Sequence, residues 1–162
     1  MFKKLLAPAL VALTLIAATG IATAEDFSKG QTEAVGYVGG MTDNFGGTVG
    51  AGLGYAVSSR AQVIGELGWI SASGLHGFEF GGNVHYLFPL RNSPKFTPYA
   101  LVGIGIVHVG SNSGVTRGGL NLGAGARWQT GKNWGIRPEI KFFLSNHTYA
   151  RFSGGIYYQF GK

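Results

Sequence analysis

The chain has 162 residues, of which 45% are hydrophobic and 12% are charged, with 29 glycines and no cysteine. The length suits one domain, and the charged fraction is half the usual value of about 25%, which argues against an ordinary solvated surface. The apolar content argues against a disordered chain, and the glycines lack the Gly-X-Y period of collagen. Without cysteine, disulfide scaffolds, thiolate metal sites and cysteine nucleophiles are excluded.

Residues 1–24 are predicted to be a secretory signal peptide. Lys3 and Lys4 form a basic n-region, an apolar stretch follows, and the segment ends on Ala-Thr-Ala at Ala24. The apolar stretch is too short to span a bilayer and is interrupted by a proline. We expect cleavage before Glu25, with a retained anchor helix as the alternative. Export argues against nucleic acid as a partner.

Eight segments with alternating apolar and polar residues follow, separated by short connections rich in Gly, Pro, Asn, Asp and Ser. They are predicted at 32–41, 48–57, 61–70, 77–88, 97–109, 117–130, 134–145 and 149–160. No amphipathic helix follows the signal, and no linker or change of composition divides the chain. Residues 25–162 are therefore predicted to form one all-β domain, an eight-stranded antiparallel up-and-down barrel.

Most of these strands have one phase of large apolar residues and one phase of small or polar residues. Seven charged residues fall in the polar phases: Glu66, Glu79, Arg127, Arg137, Glu139, Lys141 and Arg151. The first and fifth strands are apolar in both phases, so their orientation stays ambiguous. Pro138 lacks a ladder donor in the middle of strand seven, which predicts a bulge or a local gap in the ladder and leaves that register open.

The alternation fits two opposite barrels. A soluble periplasmic barrel would bury the apolar phase around a ligand, whereas a transmembrane barrel would turn it towards lipid. The polar phase is mostly Gly, Ala, Asn and Gln, unlike a soluble surface, and eight strands enclose little space for large rings. Aromatic residues also lie near strand ends, as at membrane interfaces: Trp69, Tyr86, Phe88, Trp128, Trp134 and Tyr158. The sequence favours the transmembrane barrel.

Over residues 32–160 the chain resembles the small eight-stranded outer-membrane barrels of the outer-membrane protein A and X kind. Its last strand has the pattern polar-x-Gly-x-x-aromatic-x-aromatic, by which the barrel assembly machinery recognises such proteins. The matching positions are Ser153, Gly155, Tyr158 and Phe160. Gly161 and Lys162 follow, whereas the family usually ends on the aromatic residue.

This resemblance implies a bacterial outer-membrane location with both termini in the periplasm. It implies a monomer whose partners are membrane lipid, lipopolysaccharide, periplasmic chaperones and the assembly machinery. The periplasmic turns would then carry basic residues, either as solvated charges or as contacts to anionic head groups. These residues are Arg60, Arg91, Lys95 and Lys132. The outer loops are short, which weakens an adhesin or receptor interpretation.

The polar-phase charges should pair inside the lumen, because an isolated charge there carries a large desolvation cost. We expect Glu66, Glu79 and Glu139 to find partners among the four bases of that phase. The result would be either a structural plug, which the narrow lumen of eight strands favours, or a gated path for ions.

Catalysis finds little support in the sequence. Some eight-stranded outer-membrane barrels deacylate lipid A through a His-x-Ser motif in strand seven. Ser145 and Asn146 look similar, but Phe143 takes the histidine position and His147 lies on the other side, which leaves the nucleophile without its base. The four histidines lack metal-ligand spacing, although His85 should hydrogen bond in the lumen. The Gly-x-Gly runs precede no helix, which argues against nucleotide binding. Glycine at every second position of a strand instead suits close backbone approach and sharp curvature.

We therefore expect no catalytic residue, metal or cofactor, and a structural or surface-interaction role. An outer-leaflet lipid-modifying barrel enzyme and a soluble ligand-binding barrel are the alternatives.

Overall fold

A computed structural model describes residues 27–42, 46–72, 75–90, 92–93, 95–110 and 114–161. The predicted signal peptide and its cleavage site lie outside these residues. The strands are β1 Thr32–Met41, β2 Gly47–Ala56, β3 Ala61–Ala72, β4 Leu75–Leu87, β5 Phe96–Val109, β6 Val115–Gln129, β7 Trp134–Leu144 and β8 Tyr149–Phe160. Within the described part of the chain, no helix is long and apolar enough to cross a membrane.

The eight strands close into one antiparallel barrel in sequence order. Each strand pairs with its neighbours in the chain, and β1 closes onto β8 from Thr32↔Phe160 to Met41↔Arg151. Closure pairs the backbone groups that an open sheet would leave exposed at its edges, as hydrocarbon requires. The predicted fold class is confirmed, and the predicted strand ends differ from the observed ones by at most two residues.

The even number of strands brings the start of β1 and the end of β8 to one end of the barrel, which we call the terminal end. We call the opposite end the distal end. Three connections lie at the terminal end, at 57–60, 88–95 and 130–133. Four lie at the distal end, at 42–46, 73–74, 110–114 and 145–148. The distal connections are therefore all short.

The two faces of the strands separate large apolar side chains from charged ones. Leu53, Phe80 and Ile104 on the outer face are 69%, 60% and 67% exposed, whereas Glu66 and Arg151 are 2% and 0% exposed. An outer wall of this composition suits lipid and does not suit water. The soluble alternative required the apolar phase to point inward, and the structure has the opposite orientation.

The barrel also settles the orientation of the two strands that the sequence left ambiguous. In β1, Glu33 and Tyr37 point into the lumen. In β5, Tyr99, Leu101 and Val107 do so. Apolar residues of medium size therefore occupy both faces of these strands, which explains why their sequences show no alternation.

The ladder between β6 and β7 has a gap at Pro138. Paired positions run to Gly125↔Glu139 and resume at Trp128↔Ile136 in the same register. Of the two outcomes expected at this proline, the gap is found and the bulge is not. Proline removes a hydrogen-bond donor without adding a residue, so the ladder is interrupted and the register is kept.

Val102 lies in the middle of β5 on the outer face and is 54% exposed. We expect Val102→Arg to lower the free energy of unfolding by about 2–4 kcal/mol, the cost of a basic side chain at the bilayer midplane. Thr32→Arg, at the terminal end of β1, should cost only about 0–1 kcal/mol. The free energy of unfolding of both variants can be measured by urea titration in lipid vesicles, with heat-dependent gel migration as the readout of the folded fraction. Equal losses at the two positions would contradict a lipid-facing midplane at Val102.

Candidate functional site

Among the described residues, the lumen holds eight formally charged side chains that are each at most 6% exposed. The four carboxylates are Glu33, Glu66, Glu79 and Glu139, and the four bases are Arg127, Arg137, Lys141 and Arg151. We call this group the charge column. Its formal charges cancel, as a low-dielectric interior requires. The seven charged residues considered from the sequence all lie in it, and Glu33 is the eighth member.

The terminal part of the charge column is built around Arg127. Its guanidinium pairs with both carboxylate oxygens of Glu33, with Nη1 lying 3.0 Å from Oε1. The rings of Phe27 and Tyr157 flank the same guanidinium, 4.6 Å and 4.2 Å from its Cζ. Arg137 Nη1 lies 3.8 Å from Glu33 Oε1 and connects this pair to the middle of the lumen. Arg127 therefore has an ionic partner at its edge and aromatic contacts on its faces.

Glu66 is the centre of the charge column, because three bases contact its carboxylate. Arg137 Nη2 lies 2.7 Å from Glu66 Oε1. Lys141 Nζ and Arg151 Nη2 both lie 3.2 Å from Glu66 Oε2. Arg151 Nη2 also lies 2.9 Å from Oε1 of Glu139. One carboxylate thus links bases from β7 and β8 across the barrel.

Glu79 completes the charge column towards the distal end. It pairs with Lys141 Nζ and lies 3.1 Å from Arg151 Nη1. The hydroxyl of Tyr149 donates to Glu79 Oε2 at 3.4 Å. Arg151 Nη1 donates to the hydroxyl of Tyr37 at 3.1 Å, and its Cζ lies 4.4 Å from the centre of that ring. Acidic and basic groups therefore alternate along the axis from the terminal end to the distal end.

Neutral side chains complete the hydrogen bonding of the carboxylates. The Tyr99 hydroxyl donates to Glu139 Oε2 at 2.7 Å. Asn83 Nδ2 donates to Glu66 Oε2 at 3.4 Å, and Asn121 Nδ2 donates to Asn83 Oδ1 at 2.8 Å. The two asparagines belong to polar phases that the sequence identifies, whereas Tyr99 lies in the ambiguous fifth strand. Sequence reasoning assigned no role to any of the three.

Sequence reasoning missed Glu33 because β1 is apolar in both phases. The balance of charge offers the signal that could have found it. Three carboxylates leave the four polar-phase bases with one uncompensated charge, and a buried network favours neutrality. Glu33 is the single charged residue of β1, so it is the candidate from that strand to supply the missing carboxylate.

Apolar side chains enclose the charge column at both ends. The terminal cluster consists of Phe27, Ala56, Leu87, Tyr99 and Leu101. The distal cluster consists of Met41, Ile70, Val107, Phe143 and Tyr149. The segment before β1 runs beside the end of β2, where the Phe27 N–H donates to the Ser59 carbonyl at 3.0 Å, and it buries the Phe27 ring in the terminal cluster. The ion pairs are therefore shielded from solvent at both mouths.

Inward-facing glycines make room for the rings in the lumen. A Cβ at Gly50 would collide with the ring of Tyr37 on the neighbouring strand, and a Cβ at Gly125 would collide with Tyr99. The sequence attributed period-2 glycine to close backbone approach and curvature. In the lumen these positions also provide the space that buried tyrosines need.

The hydroxyl and imidazole groups considered from the sequence make structural contacts. His85 stacks on Tyr99 with ring centres 4.6 Å apart. Neither of its ring nitrogens has a hydrogen-bond partner among the described residues, so the expected hydrogen bonding is replaced by stacking. Ser145 Oγ donates to the carbonyl of His147 at 3.0 Å and accepts from its N–H at 3.2 Å. Among the described residues, no group of three or more His, Asp or Glu is arranged to hold a metal ion.

The residues of the C-terminal pattern lie on both faces of β8. Ser153 and Gly155 belong to the inner phase. Tyr158 and Phe160 face outward at the terminal end and are 45% and 48% exposed. Their rings meet edge to face with centres 4.8 Å apart. The two aromatic residues are therefore available to a partner or to lipid.

Residues 9–160 match the family described as the outer membrane protein beta-barrel domain. The chain belongs to this family. No curated protein matches the chain.

Solved structures similar to this outer-membrane barrel include the N-terminal β-barrel domain of OprF from Pseudomonas aeruginosa. The TM-score is 0.69 at 15% identity, covering 82% of this chain and 98% of that one. Ail of Yersinia pestis has a TM-score of 0.60 at 16% identity, covering 82% and 100%. A transmembrane β-barrel of de novo design has a TM-score of 0.58 at 27% identity, covering 83% and 99%. The protein is a β-barrel of the bacterial outer membrane.

The pair Glu33–Arg127 can be tested by a double-mutant cycle. Arg127→Gln leaves Glu33 with Arg137 alone, at 3.8 Å, and should lower the free energy of unfolding by about 3–5 kcal/mol. Glu33→Gln should do the same by leaving a buried cation without its partner. The double variant should be more stable than the sum of the two losses by about 0.5–3 kcal/mol. Urea unfolding in vesicles measures all four proteins, and strictly additive losses would show that the two side chains do not interact.

Proposed function

We propose that this protein is a non-enzymatic outer-membrane barrel with a structural or surface-interaction role, inserted as a closed monomer with both termini in the periplasm. The observation that supports this proposal is the filled lumen. The charge column runs along the axis, and apolar clusters lie at both of its ends. A lumen filled in this way contributes stability and leaves little space for substrate or solute.

The charge column acts in this proposal as a plug, in preference to a gated ion path. Glu66 and Arg151 each contact several oppositely charged groups, so moving either side chain breaks several ion pairs at once. Each broken pair leaves a charge in a low-dielectric interior, at a cost of several kcal/mol. An ion passing the lumen would have to displace these groups and also the apolar residues at both mouths.

A structural role also agrees with the lengths of the connections at the distal end. Its four connections are short, whereas binding functions on barrel scaffolds usually reside on long loops. Ser145 corresponds to the serine of the His-x-Ser motif in lipid A deacylases. Its hydroxyl is hydrogen bonded to backbone atoms of His147. Phe143, in place of the motif's histidine, points into the lumen and stacks on Tyr149 with ring centres 5.3 Å apart.

Purified, refolded protein provides a direct test of a closed and catalytically inert barrel. In planar lipid bilayers we expect no discrete channel openings, because the charge column and the apolar clusters fill the lumen. Incubation with lipid A should leave its mass spectrum unchanged. Discrete conductance steps would contradict the plug, and loss of an acyl chain from lipid A would favour the enzyme.

We further propose that the chain is exported by a signal peptide cleaved near Ala24 and Glu25. Periplasmic chaperones and the barrel assembly machinery would then receive the mature chain. The assembly signal is the C-terminal pattern, with Tyr158 and Phe160 as its main recognition residues. Their outward rings at the end of β8 support this proposal, because a machine that binds the last strand can reach them before the barrel closes.

Tyr158→Ala and Phe160→Ala should each reduce the folded protein in the outer-membrane fraction several-fold. Phe152→Ala is the matched control, since Phe152 is an outward aromatic residue of the same strand, 53% exposed, and lies outside the pattern. Membrane fractionation with heat-dependent migration measures the folded fraction. If Phe152→Ala impaired assembly as much as the other two variants, the effect would come from general loss of aromatic surface and the proposed signal would be wrong.

A further inference from the structure

A cleft of about 490 Å³ opens on the outer surface at the terminal end, where β5 begins and β6 ends. Its lining residues are Ser93, Lys95, Phe96 and Trp128. Phe96 and Trp128 are cross-strand partners on the outer face, 38% and 53% exposed. The Gln129 N–H donates to the carbonyl of Lys95 at 2.8 Å. The backbone of Lys95 is therefore held beside the two rings.

The cleft lies at the level of the strand ends, where a membrane-spanning barrel meets the boundary between hydrocarbon and head groups. Trp128 is the penultimate residue of β6 and Phe96 is the first residue of β5. Tryptophan is enriched at this level of the membrane, where its ring contacts both apolar and polar groups. Lys95 immediately precedes the strand, so its side chain can extend from the wall to the head-group layer. The cleft thus combines an apolar wall with a cation at its outer edge.

The charge of the surrounding surface favours an anion. All four described carboxylates lie in the lumen, so the outer surface of the described residues carries bases without acids. These bases are Lys29, Arg60, Lys95, Arg117 and Lys132. All but Arg117 lie at the terminal end. With no described carboxylate outside the lumen, Lys95 has no anionic partner among the described surface residues.

We propose that this cleft binds an anionic glycerophospholipid of the membrane leaflet at the terminal end. Lys95 contacts the phosphate, and the rings of Phe96 and Trp128 pack against the glycerol backbone and the first methylenes of the acyl chains. Ser93 adds a hydroxyl donor beside the lysine. The site rests on the proposed orientation, in which the terminal end faces the periplasm and the adjoining leaflet consists of phospholipid.

The cleft suits a lipid better than a soluble anion because it opens in the outward wall. A soluble anion would gain the contact with Lys95 but would leave both rings facing hydrocarbon. A phospholipid satisfies the cation and the rings together, and membrane lipid is present at a concentration that can fill a site of modest affinity.

Folded protein in neutral detergent, with equal amounts of phosphatidylglycerol and phosphatidylcholine, tests the site by native mass spectrometry. We expect one retained phosphatidylglycerol in preference to phosphatidylcholine. Lys95→Gln should reduce this preference about fivefold, since one basic residue near an anionic membrane surface contributes about 1 kcal/mol. Lys29→Gln is the matched control. It removes the same charge at the terminal end beside β2, across the barrel from the cleft, and should leave the preference unchanged.

A second measurement does not depend on the lysine. Brominated phosphatidylglycerol should quench the fluorescence of the unchanged protein. Trp128→Phe should remove more of the bromine-dependent signal than Trp134→Phe, which changes the other outward tryptophan of the terminal end. Trp69→Phe, at the distal end, should retain the signal.

Several outcomes would overturn the site. They are equal retention of both lipids, an equal effect of Lys29→Gln and Lys95→Gln, and a loss of quenching in Trp134→Phe as large as that in Trp128→Phe. Heat-dependent migration of the same samples distinguishes failure of this site from failure of the proposed function. A protein that is soluble without detergent and shows no heat-dependent shift would refute the barrel's membrane role itself.

Discussion

The neutral column of charges in the lumen is the interaction on which the rest of this barrel depends. Each of the eight buried charged groups would be costly alone, and they are tolerated because every carboxylate has a base beside it. Those contacts exist only when strands on opposite sides of the barrel are correctly aligned. A slip of one residue would turn the charges of a strand towards lipid. The ion pairs in the lumen and the apolar contacts with lipid therefore favour the same strand register.

The column also explains the unusual composition of the chain. Its tyrosines contribute hydroxyl donors to carboxylates, as Tyr99 does for Glu139. They also contribute ring faces to guanidiniums, as Tyr37 does for Arg151 and Tyr157 does for Arg127. Such rings fit inside eight strands only if neighbouring positions carry no side chain. Glycines such as Gly50 and Gly125 leave that space. Glycines, tyrosines and a few ion pairs thus together fill the narrow lumen.

The fold was predictable from the sequence because the membrane imposes alternation on each strand separately. Strands three, four and seven show it clearly, and residues such as Glu66 and Lys141 could be assigned to the lumen from phase alone. A designed barrel reaches 27% identity, above the two natural barrels compared, at 15% and 16%. The alternation of apolar and polar residues therefore determines the architecture, and it indicates little about one biological role.

The details of the lumen were less predictable, for two physical reasons. β1 and β5 place apolar residues on both faces, so the inward positions of Glu33 and Tyr99 could not be read from alternation. The partner of each charge depends on the curvature and stagger of the closed barrel, because Glu33 and Arg127 are 94 residues apart. The sequence around either residue therefore does not indicate which distant residue is its partner. The cleft beside Lys95 likewise arises only when β5 and β6 meet.

The long sequence separations within the column have a consequence for how the protein reaches its native state. Glu33 and its partner Arg127 are separated by 94 residues of chain, and Glu66 and its partner Lys141 by 75. A single hairpin inserted in a bilayer would carry carboxylates whose partners had not yet arrived. Stepwise insertion is therefore disfavoured, and the strands should enter the membrane together as the first strand meets the last. Such dependence on distant contacts predicts slow, cooperative folding, during which the chain must be kept from aggregating.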